Sequence, residues 1–216
     1  MTIELTIAQR RLWWHGDEHS PAPEDWHVSA DIWALSAHPP GDRHVGDLSL
    51  TVAALGREPH ALDTMALSEW ALAFLNEAHA AEAGTLPPDL DWVTPGPERI
   101  VVVRQLEVAP GWRGLSAGAT LLASALSAFV PSARLAIAQE SAAAPSDVHD
   151  AEAAAITAAR WATLLRRTGF RERGSVHVLD LHDPALSTAR RAMIDGAMND
   201  GAGIDGEGGE GDTARD

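Results

Sequence analysis

Residues Ile100–Leu122, IVVVRQLEVAPGWRGLSAGATLL, predict a strand, a tight turn and the first turns of a helix. The strand is apolar on both faces, with Ile100, Val102, Leu106 and Val108 alternating on one face and Val101 and Val103 on the other. Strands of this kind are usually central in a sheet. Pro110 and Gly111 end the strand. We therefore expect the sheet to extend to both sides of this segment.

The turn after this strand predicts a site for an anion. Gly114 and Gly118 let the backbone approach another group closely, and Ser116 is a candidate helix cap. The helix is indicated by apolar residues at helical spacing, namely Leu121, Leu122, Ala125, Leu126 and Phe129. Its free N–H groups would lie at the positive end of the helix dipole, directly after a buried strand. Glycine-containing turns also serve as packing devices, and that alternative stays open.

The composition indicates one globular domain and a tail. The chain has 216 residues, 45% of them apolar, and no cysteine, which excludes disulfides and indicates a reducing compartment. The net charge of −15 argues against nucleic acid or an anionic membrane as a partner. The N-terminal residues show no apolar run after a basic start, and no apolar stretch is long enough to span a bilayer. We therefore expect a cytoplasmic protein.

The segments before the central strand predict a hairpin and a helix. Residues 3–12 fit a strand or a short helix equally well, whereas Trp26–Ala37 and Val45–Leu55 alternate as the strands of an antiparallel hairpin do. A helix is predicted over Asp63–Ala80, with an apolar stripe at Leu67, Trp70, Ala71, Phe74 and Ala78. Residues 84–97 contain four prolines and predict an extended linker.

The segments after the turn predict a parallel strand pair. Arg134–Gln139 is strand-like and is joined to the central strand by a helix, a crossover that makes the two strands parallel. A second helix is predicted over Asp150–Thr168, with Ile156, Ala159, Ala162 and Leu165 or Leu164 facing inward, a C-cap at Gly169, and a last strand over Ser175–Leu181. Residues 1–183 would then form a single domain, and the acidic, glycine-rich residues 184–216 a disordered tail.

Two motifs in this order resemble those of the GNAT-type N-acetyltransferase superfamily. Arg113–Gly118, RGLSAG, is similar to the family's acetyl-CoA turn, Gln/Arg-x-x-Gly-x-Gly/Ala, with Ser116 in place of the first glycine. Trp161–Phe170, WATLLRRTGF, resembles the later Gly-Phe motif. The resemblance covers roughly residues 26–181. It implies an α/β (α+β) fold with a mixed, mostly antiparallel central sheet that contains a splayed parallel strand pair and is flanked by helices.

The resemblance also implies acetyl-CoA as the acyl donor. Backbone groups near Val108 would bind the pantetheine arm and polarise the thioester carbonyl, and the amides of Gly114–Ala119 would hold the pyrophosphate. The expected cofactor-binding residues are Leu106, Val108, Arg113, Gly114, Leu115, Ser116, Ala117, Gly118 and Ala119.

The proton-transfer groups depart from the family pattern. A Tyr that often serves as general acid is replaced by Leu165, and an Asn seven residues earlier by Ala158. We name Glu107 as the candidate general base, although a strand carboxylate can also be merely exposed or paired with Arg. Glu140 is a weaker candidate, and His177 is expected to be a core or surface histidine.

Two hypotheses remain at this point. The chain is either an N-acetyltransferase for an amine-bearing small molecule or peptide, or a catalytically degenerate module of the same fold that binds acyl-CoA or a protein partner. The oligomeric state is open, a homodimer included. No metal site is expected, because the polar residues His15, Asp17, Glu18 and His19 lie in a predicted solvated loop.

Overall fold

The computed structural model describes residues 3–10, 22–33, 43–56, 58, 61–80, 86–113, 116–139 and 151–191. Its strands are β1 (Ile3–Arg10), β2 (Glu24–Ile32), β3 (His44–Ala54), β4 (Arg99–Val108), β5 (Leu135–Gln139), β6 (Arg171–Arg173) and β7 (Val176–Asp180). Its helices are α1 (Ala61–Ala66), α2 (Glu69–Ala80), α3 (Ala117–Ser127) and α4 (Ala151–Arg167). Short 3-10 turns cover Pro88–Leu90 and Pro110–Trp112, and residues 184–191 are also helical.

The strands form one seven-stranded sheet in the order β1-β2-β3-β4-β5-β7-β6. β4 and β5 run parallel, and every other neighbouring pair in this sheet is antiparallel. The predicted fold class, a mixed and mostly antiparallel sheet with a parallel pair, is thereby confirmed. The predicted hairpin is formed by β2 and β3, and residues 3–10 are a strand.

The sheet separates two apolar clusters. On one face, α3 and α4 cover Val101, Val103, Ala136, Ala138 and Leu179. On the other face, α2 and Leu67 just before it cover a second set, namely Ile100, Val102, Leu135, Ile137, Val176 and Val178. β4 and β5 contribute to both clusters, which explains why their sequences are apolar on both faces.

The predicted helix over Asp63–Ala80 is wrong in one respect, because two helices occupy this segment. α1 ends at Ala66, and α2 begins after Ser68, whose backbone carbonyl accepts hydrogen bonds from the N–H groups of Ala71 and Leu72. Serine is among the preferred residues at this helix position.

The predicted inward face of α4 is also wrong in part. Ile156 and Ala159 are exposed, whereas Trp161, Leu165 and Thr168 are buried. Successive helical residues are about 100° apart, so Ile156 and Ala159 lie well away from the stripe that begins at Trp161.

The folded part of the chain includes residues beyond the predicted domain boundary at residue 183. Gly169 has a φ of 96° and ends α4 as predicted. Residues 184–191 follow β7, and their Leu186 and Ala189 are buried against α3 and α4. Buried chain therefore continues past residue 183. Among the described residues, no helix is both long and apolar enough to span a membrane. The predicted tail from residue 192 onward lies outside the described residues.

Candidate active site

β4 carries one extra residue at Arg104, which forms a β-bulge. Its pairing with β3 passes from Leu50↔Val103 to Ser49↔Gln105, so Arg104 has no partner in the register. The parallel pairing with β5 ends at the same level, at Val103↔Ala138, while β4 continues to Val108. We call the opening between β4 beyond Val103 and the end of β5 the fork. Bulges bend a strand and increase its twist, so Arg104 accounts for the divergence.

The bulge also changes which side chains share a face. The sequence pattern placed Leu106 and Val108 on the face of Ile100 and Val102. In the structure they pack with the α3 and α4 cluster instead, on the face of Val101 and Val103. One inserted residue moves every later side chain to the opposite face, which corrects the predicted alternation.

Two backbone positions of β4 point into the fork. The N–H of Ala109 donates to the carbonyl of Val45 on the β3 side, at 2.9 Å. Because backbone groups alternate in direction along a strand, those of Leu106 and Val108 face away from β3. The Nε of Arg113 donates to the Val108 carbonyl at 3.0 Å, from the fork side. Arg113 is exposed and stands at the rim of the fork.

The N-terminus of α3 follows directly. Ser116 occupies the N-cap position without a side-chain cap bond, so the predicted cap is present by position only. The first backbone bond of the helix runs from the Thr120 N–H to the Ser116 carbonyl, at 3.0 Å. The N–H groups of Ala117, Gly118 and Ala119 therefore have no acceptor among the described residues. Gly114 and Leu115 lie outside the described residues.

Gly118 lets α3 approach β4 closely. A Cβ at this position would lie 2.9 Å from Cδ1 of Leu164 and 3.3 Å from Cγ2 of Val108. The glycine thus holds the helix N-terminus against the β4 strand that borders the fork. The predicted close approach is real, and its partners include α4 as well as β4.

Glu107 lies on the sheet face opposite α3 and α4. It is exposed and accepts a hydrogen bond from the Gln105 side-chain amide. In the register it stands directly opposite Asp47 of β3. Asp47 in turn pairs with Nε2 of His27 at 3.2 Å and with Nε2 of His44 at 3.0 Å.

His44 joins two carboxylates on this polar face. Its Nδ1 contacts Asp31 at 3.1 Å while its Nε2 contacts Asp47. The hydrogen bond with Asp31, together with the Asp47 charge and against partial burial, raises the pKa of His44. Both ring nitrogens can donate only in the imidazolium form, so the carboxylates favour a protonated ring.

The family positions on α4 hold no proton donor. Leu165 is 0% exposed and belongs to the core, and Ala158 is partly buried. Trp161 is the α4 side chain with a polar contact at this end of the sheet, since its Nε1 donates to the Gln139 carbonyl at 2.8 Å. Glu140 and the cluster from His15 to His19 lie outside the described residues. Among the residues that the structure describes, no group of three acids or histidines could hold a metal.

Sequence reasoning missed the bulge and the Trp161 bond, and it left open whether His177 lies in the core or at the surface; the structure shows it buried. Nothing in IVVVRQLEV marks Arg104 as an inserted residue, because the apolar alternation is also consistent with a regular strand. The one feature of the sequence that departs from regular alternation is the pair of consecutive polar residues after Val103, Arg104 and Gln105, and both are exposed in the structure.

A cavity of about 360 Å³ lies elsewhere, between α2 and the β6–β7 turn. Arg173 pairs there with Glu77 and Asp89, and its hydrogen bonds hold the pKa of both carboxyl groups below their usual values. Since the carboxylates already have a cationic partner, this cluster ties the β6–β7 hairpin to α2 and to the segment before β4.

No protein-family model matches this chain, and no match is found among curated proteins. Several solved structures are similar to it, including the following three. An insect protein assigned as an arylalkylamine N-acetyltransferase, from the yellow fever mosquito, is 14% identical with a TM-score of 0.40. The match covers 72% of this chain and 64% of the mosquito protein, which is less than two thirds of its length.

The other two structures cover more of their own chains. A mutant of KacT is 10% identical, with a TM-score of 0.36, over 85% of this chain and 98% of that one. AtaTR bound with AcCoA is 13% identical, with a TM-score of 0.34, over 85% of this chain and 96% of that one. At these identities and TM-scores the likenesses assign no activity to this chain.

Proposed function

We propose that this chain is an acetyl-CoA-dependent N-acetyltransferase that acts on a primary amine of a small molecule or peptide. The observation that carries the proposal is the fork. Its open β4 edge at Leu106 and Val108 adjoins a helix N-terminus whose first N–H groups have no acceptor among the described residues. An extended amide chain that ends in a diphosphate is complementary to such a combination.

The residues present fit this ligand. Backbone groups of Leu106 and the N–H of Val108 would pair with the amides of the pantetheine arm, as a missing strand would. The N–H groups of Ala117, Gly118 and Ala119 would hold the diphosphate, helped by the helix dipole and by the free side of the Arg113 guanidinium. Acetyl-CoA supplies an activated acyl group when bound. The protein supplies position, which is the larger part of catalysis for such a transfer.

Glu107 is the proposed general base. The acceptor amine is largely protonated near neutral pH and must lose a proton before it can attack. Glu107 is placed at the fork on the face opposite α3, so an acceptor would approach from one face and the cofactor from the other.

The same face suits a cationic acceptor. Asp47 and Glu107 are directly opposite one another on neighbouring strands, an arrangement that is unfavourable for two like charges. A bound ammonium group between them would relieve that repulsion. His27 and His44 hold Asp47 from the other side. The arylalkylamine of the mosquito protein's name is one amine to test, together with polyamines and aminoglycosides.

The experiment is a thermal-shift measurement followed by a turnover assay. At 100 times its Kd, acetyl-CoA should add about 2.7 kcal/mol of stability. Release of CoA thiol in the presence of an amine from the panel then reports transfer. Glu107→Gln should lower kcat by about 10²–10⁴-fold with binding retained. Glu98→Gln, an exposed carboxylate just before β4, is the matched control.

The alternative function is a degenerate module that binds acyl-CoA without turnover. It is favoured by Leu165, Ala158 and Ser116, which stand where the family often has Tyr, Asn and Gly. Stabilisation by acetyl-CoA without CoA release for any amine tested would support it. The absence of any stabilisation by acetyl-CoA would contradict both functions.

A further inference from the structure

His177 on β7 is a buried polar residue without a hydrogen bond. It is 5% exposed, and neither Nδ1 nor Nε2 has a hydrogen-bond partner among the described residues. The carboxylate of Glu172 on β6 lies 3.8 Å from Nε2, which is too long for a hydrogen bond. A buried polar group left in this state costs about 1–3 kcal/mol.

The register places His177 beside the origin of the fork. It pairs with Ala138 of β5, and Ala138 pairs with Val103 of β4 in the last parallel pair before the strands diverge. Strands lie about 4.8 Å apart, so the His177 backbone is about 5 Å from β5 and about 10 Å from β4. The residue between them, Ala138, carries only a methyl group.

The side chain of His177 lies on the face of the sheet that α3 and α4 cover. Val176 and Val178 pack with the α2 cluster, and Leu179 packs with the α3 and α4 cluster. Because side chains alternate along a strand, His177 shares the face of Leu179. This face carries the N-terminus of α3, and Leu165 of α4 belongs to its core.

Packing alone does not account for a histidine at this position. An apolar ring or a leucine would fill comparable space without two unsatisfied nitrogens. Buried polar atoms that lack a partner in a free protein are commonly satisfied by a ligand, a water or a reacting group. At the same time, the position that often supplies a proton in proteins with this turn is the apolar Leu165.

We propose that His177 is a further catalytic residue, which protonates the departing thiolate of CoA directly or through one water. As the amine nitrogen bonds to the carbonyl carbon and the carbon–sulfur bond breaks, the electron pair of the broken bond goes to sulfur, and the imidazolium form of His177 supplies the proton. The ring then regains a proton from solvent, and the proton of the attacking amine goes to Glu107. This inference rests on the proposed acetyl transfer.

The first test is made on the unaltered protein by NMR of the histidine ring nitrogens, with CoA as the probe. The His177 ring signals, assigned through their neighbours Val176 and Val178, should shift when CoA binds. They should stay in place with the nucleotide fragment of CoA that lacks the pantetheine arm. The signals of His79, on the exposed surface of α2, should move in neither case.

The second test is kinetic. His177→Gln should lower kcat by about 10²-fold or more, the usual contribution of general acid catalysis, while the KM for acetyl-CoA changes little. His79→Gln is the matched control and should retain full activity. Wild-type activity in His177→Gln overturns the proposal. If that variant does not fold, the NMR result decides.

The two levels of inference fail differently. If acetyl-CoA neither stabilises the protein nor is turned over, the proposed function is wrong. If acetyl-CoA binds and reacts but the His177 ring signals do not shift when CoA is added, only the proposed role of His177 is wrong.

Discussion

Asp180 is the buried carboxylate that joins β7 to the segment before β4. It is 6% exposed, and its Oδ2 accepts hydrogen bonds from the N–H of Thr94 at 2.9 Å and from its hydroxyl at 2.6 Å. Its Oδ1 accepts the N–H of His182 at 2.9 Å. Burial opposes ionisation, but the bonds from Thr94 and His182 outweigh it, so the pKa of Asp180 is lowered.

The lowered pKa predicts acid sensitivity. The contribution of Asp180 to stability is fully present above its unfolded pKa of about 3.9 and is lost as pH falls through the lower folded pKa. Asp180→Asn should cost about 1–3 kcal/mol at pH 7, because an ionised acceptor is lost. Urea unfolding at a series of pH values should show that the variant loses less stability than the wild type as the pH is lowered.

The control for this prediction is Asp91→Asn. Asp91 is exposed and lies three residues before Thr94. Its substitution should leave both the stability at pH 7 and the slope in acid unchanged. Equal behaviour of the two variants would contradict the role of Asp180.

The contact between α3 and α4 is set by Gly118 and Leu164. Gly118→Ala adds a Cβ that would meet Cδ1 of Leu164 at 2.9 Å. Overpacking of this kind costs about 1–3 kcal/mol, while alanine gains about 1 kcal/mol over glycine inside a helix. The packing cost should win, and the single variant should be less stable than the wild type.

A double-mutant cycle measured by urea unfolding checks this explanation. In a Leu164→Ala background the obstructing methyl is absent, so Gly118→Ala should become neutral or stabilising. A coupling free energy near zero would show that the two side chains do not meet. The cycle therefore separates helix packing from any effect of Gly118 on ligand binding.

The sequence was sufficient for most elements and for their order. The parallel pairing of β4 and β5 followed from a helical crossover, and the C-cap at Gly169 followed from residue type. The candidate residues Leu106, Val108, Arg113 and Ala117–Ala119 are brought to one end of the sheet. These features depend on residue types within one segment and on short connections between consecutive segments, and both can be seen in a single sequence.

The features that could not be predicted depend on tertiary contacts. The bulge at Arg104 exists only in relation to Ser49 and Leu50 on β3. The rotation of α4 is set by Trp161, whose indole finds the Gln139 carbonyl. Whether the His177 ring has a hydrogen-bond partner depends on the side chains that the neighbouring strands place around it. The hydrophobic pattern of one segment does not show which residues of another segment will contact it.

The folded unit as a whole should include residues 184–191. Leu186 is 3% exposed and Ala189 is 7% exposed, and the Thr120 hydroxyl donates to the Ala189 carbonyl at 3.2 Å. Truncation after residue 183 should therefore lower the free energy of unfolding by about 2–5 kcal/mol or more, since the loss of one buried leucine side chain alone typically costs that much. Truncation after residue 194, which removes only the acidic, glycine-rich segment, should leave the midpoint of thermal unfolding unchanged. Equal midpoints for both truncations would contradict this boundary.

The bulge at Arg104 has a consequence for the rate at which a ligand binds in the fork. Because β4 has already diverged from β5, the edge of β4 that faces the fork beyond Val103 has no strand partner among the described residues that would have to be released before a ligand binds. Binding then breaks no hydrogen bond between the described strands, and the association rate constant should not be limited by strand separation. Since β4 is already extended and paired with β3 as far as Val108, little ordering entropy should be lost from this strand when the ligand binds.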